Sequence, residues 1–366
     1  MIKNRYYIPV VIVGAGPAGL AAALTLQKES VTCAVIDYRR ENVFKPGESL
    51  APGANFILDK LGLHKIAASG FHNAYVGNNV VWGGTTPHQR YFLNEPYGNG
   101  LHLNRVVFEN QLLETAVERK ITLFLTYQIK EITETPDKIL LECFSPSGDF
   151  TTIEADFILD CSGRAGIVAK KSGVKRTALD NLVSYHFMIT QPETVLKGMT
   201  YIESVADGWW YMAPVNDGKM VVNFMSDSDL HQVKSELLQD WLRQKIRQTQ
   251  HFSALIPENA FDTLVHSGIK TASTSLLDVP GGNRWMAAGD ALCSYDPLTS
   301  FGITNALTGG YAAAKAITGL LNGDGTAATD YLSKQMALFN KSVVMLQNQY
   351  RQEQRWADLP FWKRRH

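Results

Sequence analysis

An apolar run, Ile8 to Val13, leads directly into Gly14-Ala15-Gly16-Pro17-Ala18-Gly19, and this junction restricts the possible folds more than any other segment. An alanine- and leucine-rich stretch with helical spacing continues to about Lys28, and a second apolar run, Val31 to Ile36, closes on Asp37. Strand, glycines, helix, strand and acid in that order make a βαβ unit that holds a dinucleotide. Gly14 permits the tight turn, Gly16 lets the backbone approach a pyrophosphate, and Gly19 lets the helix sit close to the sheet. A diphosphate there meets the free N–H groups and positive end of the helix. Asp37 is placed to accept from the adenosine ribose hydroxyls. A lone GxGxxG is weak evidence; in this setting it is strong.

The chain of 366 residues fits about two domains or one two-lobed unit. Its 45% apolar content is ample for a core and low for a membrane protein. The uncharged stretch Ile8 to Leu26 is as long as a short membrane span, but its glycines and Pro17 fit the strand–turn–helix reading better. No charged segment with a cleavage site precedes it, so no signal peptide is expected. The 35 basic and 35 acidic residues cancel, which leaves no electrostatic footprint for nucleic acid. Cys33, Cys143, Cys161 and Cys293 stand far apart with no CxxC pair, so reduced thiols and a cytoplasmic location are expected. None of the nine histidines falls in a zinc-binding pattern, and no metal site is expected.

The pattern reads as a discontinuous Rossmann-type α/β lobe (1–70, 96–178 and 269–325) interrupted by a second, mainly antiparallel lobe. That insertion (71–95 and 179–268) would cover the active face, and a helical segment, 326–366, ends the chain. The spacing predicts helices over 52–61, 105–120, 235–249, 302–321 and 327–350. Strands are expected within 74–94, near 121–127, 138–144 and 150–159, across 181–226, and at Trp285–Ala288.

Only one GxGxxG is present, so one dinucleotide is built in, and its identity rests on later segments. These are Lys45-Pro46-Gly47-Glu48-Ser49-Leu50, Leu103-Asn104-Arg105-Val106-Val107-Phe108, Asp160-Cys161-Ser162-Gly163-Arg164, Gly289-Asp290-Ala291, and Asp296-Pro297-Leu298-Thr299-Ser300-Phe301-Gly302-Ile303. Taken singly, the first also reads as a solvated loop and Arg105 as a surface arginine at a helix start. Together they resemble the FAD-binding motifs of the aromatic-hydroxylase and tryptophan-halogenase superfamily. The resemblance implies that fold, with FAD as cofactor. It implies that Lys45, Gly47, Glu48 and Ser49 form a strap beside the flavin, and that Arg105, Ser162 and Gly163 lie near the diphosphate. Asp37, Tyr38 and Arg39 would serve the adenosine end. Asp290, after Gly289, would bond the ribityl hydroxyls. Pro297, Ser300, Phe301, Gly302 and Ile303 would aim a helix start at the flavin's pyrimidine edge, where the positive end stabilises the charge of the reduced ring.

Halogenases of this superfamily carry a lysine shortly before an Asn-Trp-Gly-like strand. The comparable strand here is Asn79-Val80-Val81-Trp82-Gly83, and no lysine lies between Lys65 and Arg105. Their WxWxIP signature is degraded to Gly208-Trp209-Trp210-Tyr211-Met212-Ala213-Pro214. Halogenation is disfavoured. The chain is more similar to the short flavoproteins of the LodB/GoxB type, encoded beside quinoprotein amino-acid oxidases. That likeness implies a monooxygenase that uses reduced FAD and O2 to oxygenate a tryptophan of an oxidase precursor, a glycine oxidase being one such partner, during cysteine tryptophylquinone biogenesis. An external flavin reductant would be needed. Glu48 and Ser49 are the candidate polar participants. Trp209, Trp210 and Tyr211 either line the approach or belong to the core of the sheet. A hydroxylase of a free aromatic metabolite, and a maturation chaperone in which FAD is structural, remain open. The tail, Arg351 to His366, mixes cations with Trp356, Phe361 and Trp362, and reads either as an interface or as a segment packed on the body, with packing favoured.

Overall fold

The structure, a computed structural model, describes residues 4–38, 47–264 and 266–366. Arg39 and Lys45 lie outside them. Five parallel strands form the central sheet, in the order Trp285–Ala287, Phe157–Asp160, Val10–Val13, Cys33–Asp37, Thr122–Leu125. Strand residues of the pair Val10–Val13 and Phe157–Asp160 are buried without alternation, and all but the terminal Asp160 are apolar, because both faces are covered, as parallel sheets require. The fingerprint helix Pro17–Lys28 and the helix Gly302–Leu321 cover one face. These helices touch backbone to backbone: a Cβ on Gly310 would stand 2.0 Å from the Ala18 carbonyl oxygen.

The expected strand over 150–159 is in fact two. Phe150–Ala155 pairs with Ile139–Phe144 and with Asn4–Tyr7 in a four-stranded sheet that also holds Gln128–Glu134, whereas Phe157–Asp160 joins the central sheet. The break falls at Asp156, whose carboxylate accepts from the Tyr7 hydroxyl at 2.7 Å and from Lys138. The expected helix 235–249 is likewise a short 3-10 turn followed by Leu238–Ile246. Gly302–Leu321 and Ala327–Tyr350 form as expected.

The inserted sheet has seven strands, in the order His266–Thr271, Leu182–Thr190, Lys219–Asp227, Gly208–Val215, Met199–Val205, Gly77–Val81, His88–Tyr91. Only Met199–Val205 and Gly77–Val81 run parallel. Side chains alternate across such a sheet. Trp210, Met212 and Phe224 therefore pack beneath Leu238, Leu242 and Ile246 on one face. Trp209, Tyr211 and Ala213 face the other way, toward Trp82, Tyr350, Phe361 and Trp362. The tail is thus packed on the body. Trp362 is fully buried and its Nε1 donates to the Val205 carbonyl at 2.9 Å, while Arg365 pairs with the buried Asp227 at 2.6 Å. Among the described residues, no helix is long and apolar enough to cross a membrane.

Candidate active site

The fingerprint glycines take up three separate tasks. Gly14 has φ +109°, and a Cβ there would lie 2.4 Å from the Cys161 carbonyl oxygen, so the turn presses on the end of the neighbouring strand. A Cβ on Gly19 would be 1.9 Å from the Gly14 oxygen, which ties the helix to that turn. At Gly16 nothing stands within 4 Å. The helix that starts there has Pro17 in its first turn, no acidic residue beside it and no side-chain cap. Ala15 and Ala18 are buried behind this opening. Asp37 ends the second strand half-buried, with Tyr38 exposed after it.

Asp290 is brought to this opening by packing. Gly289 has φ +60°, and a Cβ on it would meet the Ala18 Cβ at 2.8 Å, so only glycine lets the turn close on the fingerprint helix. The Asp290 carboxylate is recessed, yet 36% of its side chain stays open to the cleft, with Arg164 at 3.7 Å. Burial raises its pKa, and Arg164, Arg105 and Arg176 pull it back down. Arg164 itself is fixed by the Ser273 carbonyl at 2.6 Å.

Asp296 caps the next turn. Its Oδ1 accepts from Leu298 N at 2.8 Å, Pro297–Thr299 makes one 3-10 turn, and Ser300 follows with φ +52°. The helix then begins at Gly302, with no side-chain cap and no acid in its first turn, and open space stands over Gly302. Ile303 is buried and Phe301 is 39% exposed.

The strap meets this helix start. A Cβ on Gly47, where φ is +106°, would lie 2.6 Å from Arg105 Nη1 and 4.0 Å from Ile303 Cδ1. Arg105 donates to the Gly47 carbonyl at 3.0 Å and pairs with the buried Glu109 at 2.7 Å. In this structure its cation holds the strap. Ser162 is similarly engaged: its hydroxyl donates to Asp160 at 2.6 Å and accepts from Ile167 N at 2.7 Å, while Gly163 beside it stands open.

Glu48 is 3% exposed, and its Oε1 is a buried atom with no hydrogen-bond partner among the described residues. Burial pushes the carboxyl up to about 7, against the opposing pull of Arg105 and of backbone donors. Ser49 Oγ lies 2.8 Å from the Tyr211 hydroxyl and 2.9 Å from Thr200 Oγ1, which is itself 2.9 Å from His102 Nε2. Of the three aromatics on the Trp-Trp-Tyr strand, only Tyr211 joins this group. Trp209 and Trp210 are fully buried core residues on opposite sheet faces, and Trp209 Nε1 donates to Tyr350 at 3.0 Å. Sequence reasoning missed Thr200 and His102. Their one signal is a histidine inside the otherwise apolar Gly100-Leu101-His102-Leu103 segment that precedes Arg105.

The cleft so built fits FAD by its own chemistry. Two uncapped helix starts, open space at Gly16 and Gly302, and a partly open carboxylate at Asp290 suit an anionic diphosphate, a polyol and a ring that gains charge on reduction. The buried Thr304 Oγ1, in the first turn of the second helix, is also without a hydrogen-bond partner among the described residues.

The protein is a flavoprotein: a family model described as an FAD binding domain matches residues 7–341, and the chain belongs to that family. Among its relatives is LodB of Marinomonas mediterranea, described as an FAD-dependent oxidoreductase, with 26% identity over 363 residues, covering 97% of this chain and 96% of LodB. The tryptophan 2-halogenase of Chondromyces crocatus is 25% identical over 342 residues, but the chain spans 64% of that enzyme's length. Among solved structures, the flavin-dependent halogenase CmlS superposes with a TM-score of 0.88 at 25% identity, over all of this chain and 68% of CmlS. QhpG, a peptidyl tryptophan dihydroxylase essential for tryptophylquinone cofactor biogenesis, superposes with a TM-score of 0.76 over 98% of this chain and 78% of its own. At 23% identity that last likeness is one of fold. The expected FAD-dependent oxidoreductase of the hydroxylase–halogenase fold, similar to LodB, is borne out.

Proposed function

We propose that the protein is an FAD-dependent monooxygenase that oxygenates a tryptophan side chain of a precursor protein on its way to a tryptophylquinone oxidase. The observation that carries this reading is the end-to-end likeness to LodB, 97% of one chain on 96% of the other, where only 64% of the halogenase relative is spanned. The absence of a lysine between Lys65 and Arg105, before and after Asn79–Trp82, supports oxygenation over halogenation. QhpG, which shares the fold, is a peptidyl tryptophan dihydroxylase, and this supports the choice of substrate class. A glycine oxidase precursor is the specific partner proposed, with cytoplasmic maturation.

When bound, reduced FAD would supply the two electrons that let one atom of O2 enter the indole ring while the other leaves as water. The chain's own residues bind, orient and exclude water. The helix start at Gly16 takes the diphosphate, with Gly163 alongside. Asp290 accepts from hydroxyls, and Gly47 with Arg105 keeps the strap against Ile303. The uncapped helix at Gly302 offers a positive end to a developing negative charge. Glu48 and Ser49 supply the polar side chains of the strap, and Tyr211 reaches Ser49 from the inserted sheet.

The test is to reduce the FAD-loaded protein, admit O2 and add unmodified precursor or free tryptophan, then weigh both products. A gain of one or two oxygen masses on a precursor tryptophan alone supports the reading. Oxygenation of the free amino acid instead would make it a small-molecule hydroxylase, and binding of the precursor without mass change would make it a chaperone.

A further inference from the structure

Five strands of the seven-stranded sheet come from residues 182–271. That stretch is entered and left through two short strands, Arg176–Ala178 and Ser275–Leu277, which pair antiparallel with Ala178 opposite Ser275. Ser275–Leu277 pairs on its other side with Cys293–Ser294, just after the turn that carries Asp290. Both connections of the stretch therefore share one small sheet with the chain leaving the Asp290 turn.

Arg176 joins these parts. Gly289–Ala291 makes a single 3-10 turn, and a turn that short leaves its last carbonyls to find partners elsewhere. Arg176 Nη2 donates to the Asp290 carbonyl at 3.0 Å and to the Ala291 carbonyl, while Nη1 donates to Ser275 Oγ at 3.0 Å. A guanidinium only donates, so it sets the direction of the bonds beyond it. Ser275 Oγ, having accepted from Arg176, donates to Ser294 Oγ at 2.7 Å, and Ser294 Oγ donates to the Ser273 carbonyl at 3.1 Å. The same carbonyl accepts from Arg164 Nη1 at 2.6 Å, and Arg164 Nε stands 3.7 Å from Asp290 Oδ2. Ser273, Ser275 and Ser294 are all buried. The path starts at the main chain of Asp290, runs through Arg176 and three serines, and returns through Arg164 to the Asp290 side chain.

We propose that Arg176 is a positioning residue for the cofactor: it fixes the main chain of the Asp290 turn so that the carboxylate meets the ribityl hydroxyls of FAD, and through Ser275 it ties that turn to both connections of the 182–271 stretch. The proposal deepens the assignment of Asp290 to the cofactor and rests on it. An acceptor must be held within a few tenths of an ångström to bind a hydroxyl well, and a fork that grips two successive carbonyls provides that. Lysine would not replace it, since an ammonium is a point charge without the planar fork. When FAD engages the Asp290 carboxylate and steadies its turn, the same bonds carry that order to Arg176–Ala178 and Ser275–Leu277.

The test is a double-mutant cycle on FAD affinity, read by flavin fluorescence, with Arg176→Met, Asp290→Ala and both together. Arg176→Met alone should weaken FAD binding by about tenfold, the scale of one hydrogen bond to a charged acceptor. In the Asp290→Ala background the same change should cost at most about twofold, because the group it positions is gone. Equal losses in the two backgrounds, the pattern of a merely structural arginine, would overturn the proposal, and so would an Arg176→Met protein with wild-type affinity. If Arg176→Met folds poorly, Arg176→Lys decides: affinity well below wild type supports the fork, and full affinity overturns it. Backbone hydrogen exchange of the full-length protein reads the link to the connections. FAD should slow exchange at 176–178 and 275–277 in wild type and leave it unslowed in Arg176→Met; the same response in both proteins would overturn the link. Asp290→Ala alone separates the two assignments. Unchanged affinity there removes Asp290 from the cofactor, whereas a loss there with equal Arg176 effects in both backgrounds defeats only the role of Arg176.

Discussion

The Tyr350 hydroxyl donates to the Asp296 carboxylate at 2.7 Å, across 54 residues of sequence, and so connects the end of the long C-terminal helix to the turn that starts the Gly302 helix. Asp296 caps that turn with its other oxygen, and Tyr350 accepts from Trp209 on the inserted sheet. One phenol therefore joins three parts of the molecule: the C-terminal helix, the turn at Asp296 and the inserted sheet. Arg365, stacked at 5.1 Å from the Tyr350 ring, secures it from behind. The C-terminal helix thereby braces the Asp296 turn directly.

Tyr350→Phe removes that donor. Asp296 is 1% exposed, and burial pushes its carboxyl up to about 6. A carboxyl whose folded pKa is raised contributes most below its unfolded value, and that contribution is lost as pH rises through about 6. Tyr350→Phe should therefore cost about 1.5–3 kcal/mol where Asp296 is charged, and clearly less where it is protonated. Urea unfolding on either side of that pH measures the difference; an equal cost at both would separate Tyr350 from the Asp296 charge.

Glu48 makes a related prediction with its own window. Its folded pKa is raised from 4.5 to about 7, so the stability it contributes is present below 4.5 and is lost as pH rises through 7. Glu48→Gln cannot ionise. Above neutrality the variant should unfold at a higher temperature than wild type, and below 4.5 the gap should close. A wild type that gains stability relative to the variant with rising pH contradicts this.

Gly16 and Gly19 should separate in their effects. Gly16→Val has open space and should fold with an unchanged melting temperature in the apoprotein while failing to retain FAD. Gly19→Ala drives a methyl to 1.9 Å from a carbonyl oxygen and should destabilise the apoprotein itself, by about 1–3 kcal/mol or more. Flavin content and apoprotein melting, measured together on both variants, check the division of labour.

The N-terminal unit was legible in sequence because strand, turn, helix and acid are contiguous and each has a local physical signature. The two helices after Gly302 were legible for the same reason, being long and periodic. The boundary at Asp156 was not: a stretch of aromatic and β-branched residues over 150–159 reads as strand whether it serves one sheet or bends from one to another. Trp209 and Trp210 fall on opposite faces of any strand, but that both faces are buried was not legible, since it depends on Leu238, Leu242 and Ile246 covering one and on Phe361 and Trp362 folding back over the other. His102 and Thr200 are 98 residues apart, and only the packing of the small strand pair against the inserted sheet makes them neighbours.

Asp290→Ala should leave the fold intact, because its ion pair with Arg164 is 3.7 Å long and partly exposed and such pairs contribute little. FAD affinity should fall by about ten- to a hundredfold, the value of a hydrogen bond to a charged acceptor. Fluorescence titration of the apoprotein with FAD measures it, and unchanged affinity would remove Asp290 from the cofactor set.

The most direct measurement is a single turnover with isotope-labelled O2. The FAD-loaded protein is reduced without oxygen, mixed with the unmodified oxidase precursor and the labelled gas, and the precursor is digested and weighed. Label in the ring of a precursor tryptophan, dependent on FAD and on reduction, is the result expected of a peptidyl tryptophan monooxygenase. A precursor that binds and emerges unlabelled, with all the oxygen recovered as peroxide or water, would contradict it.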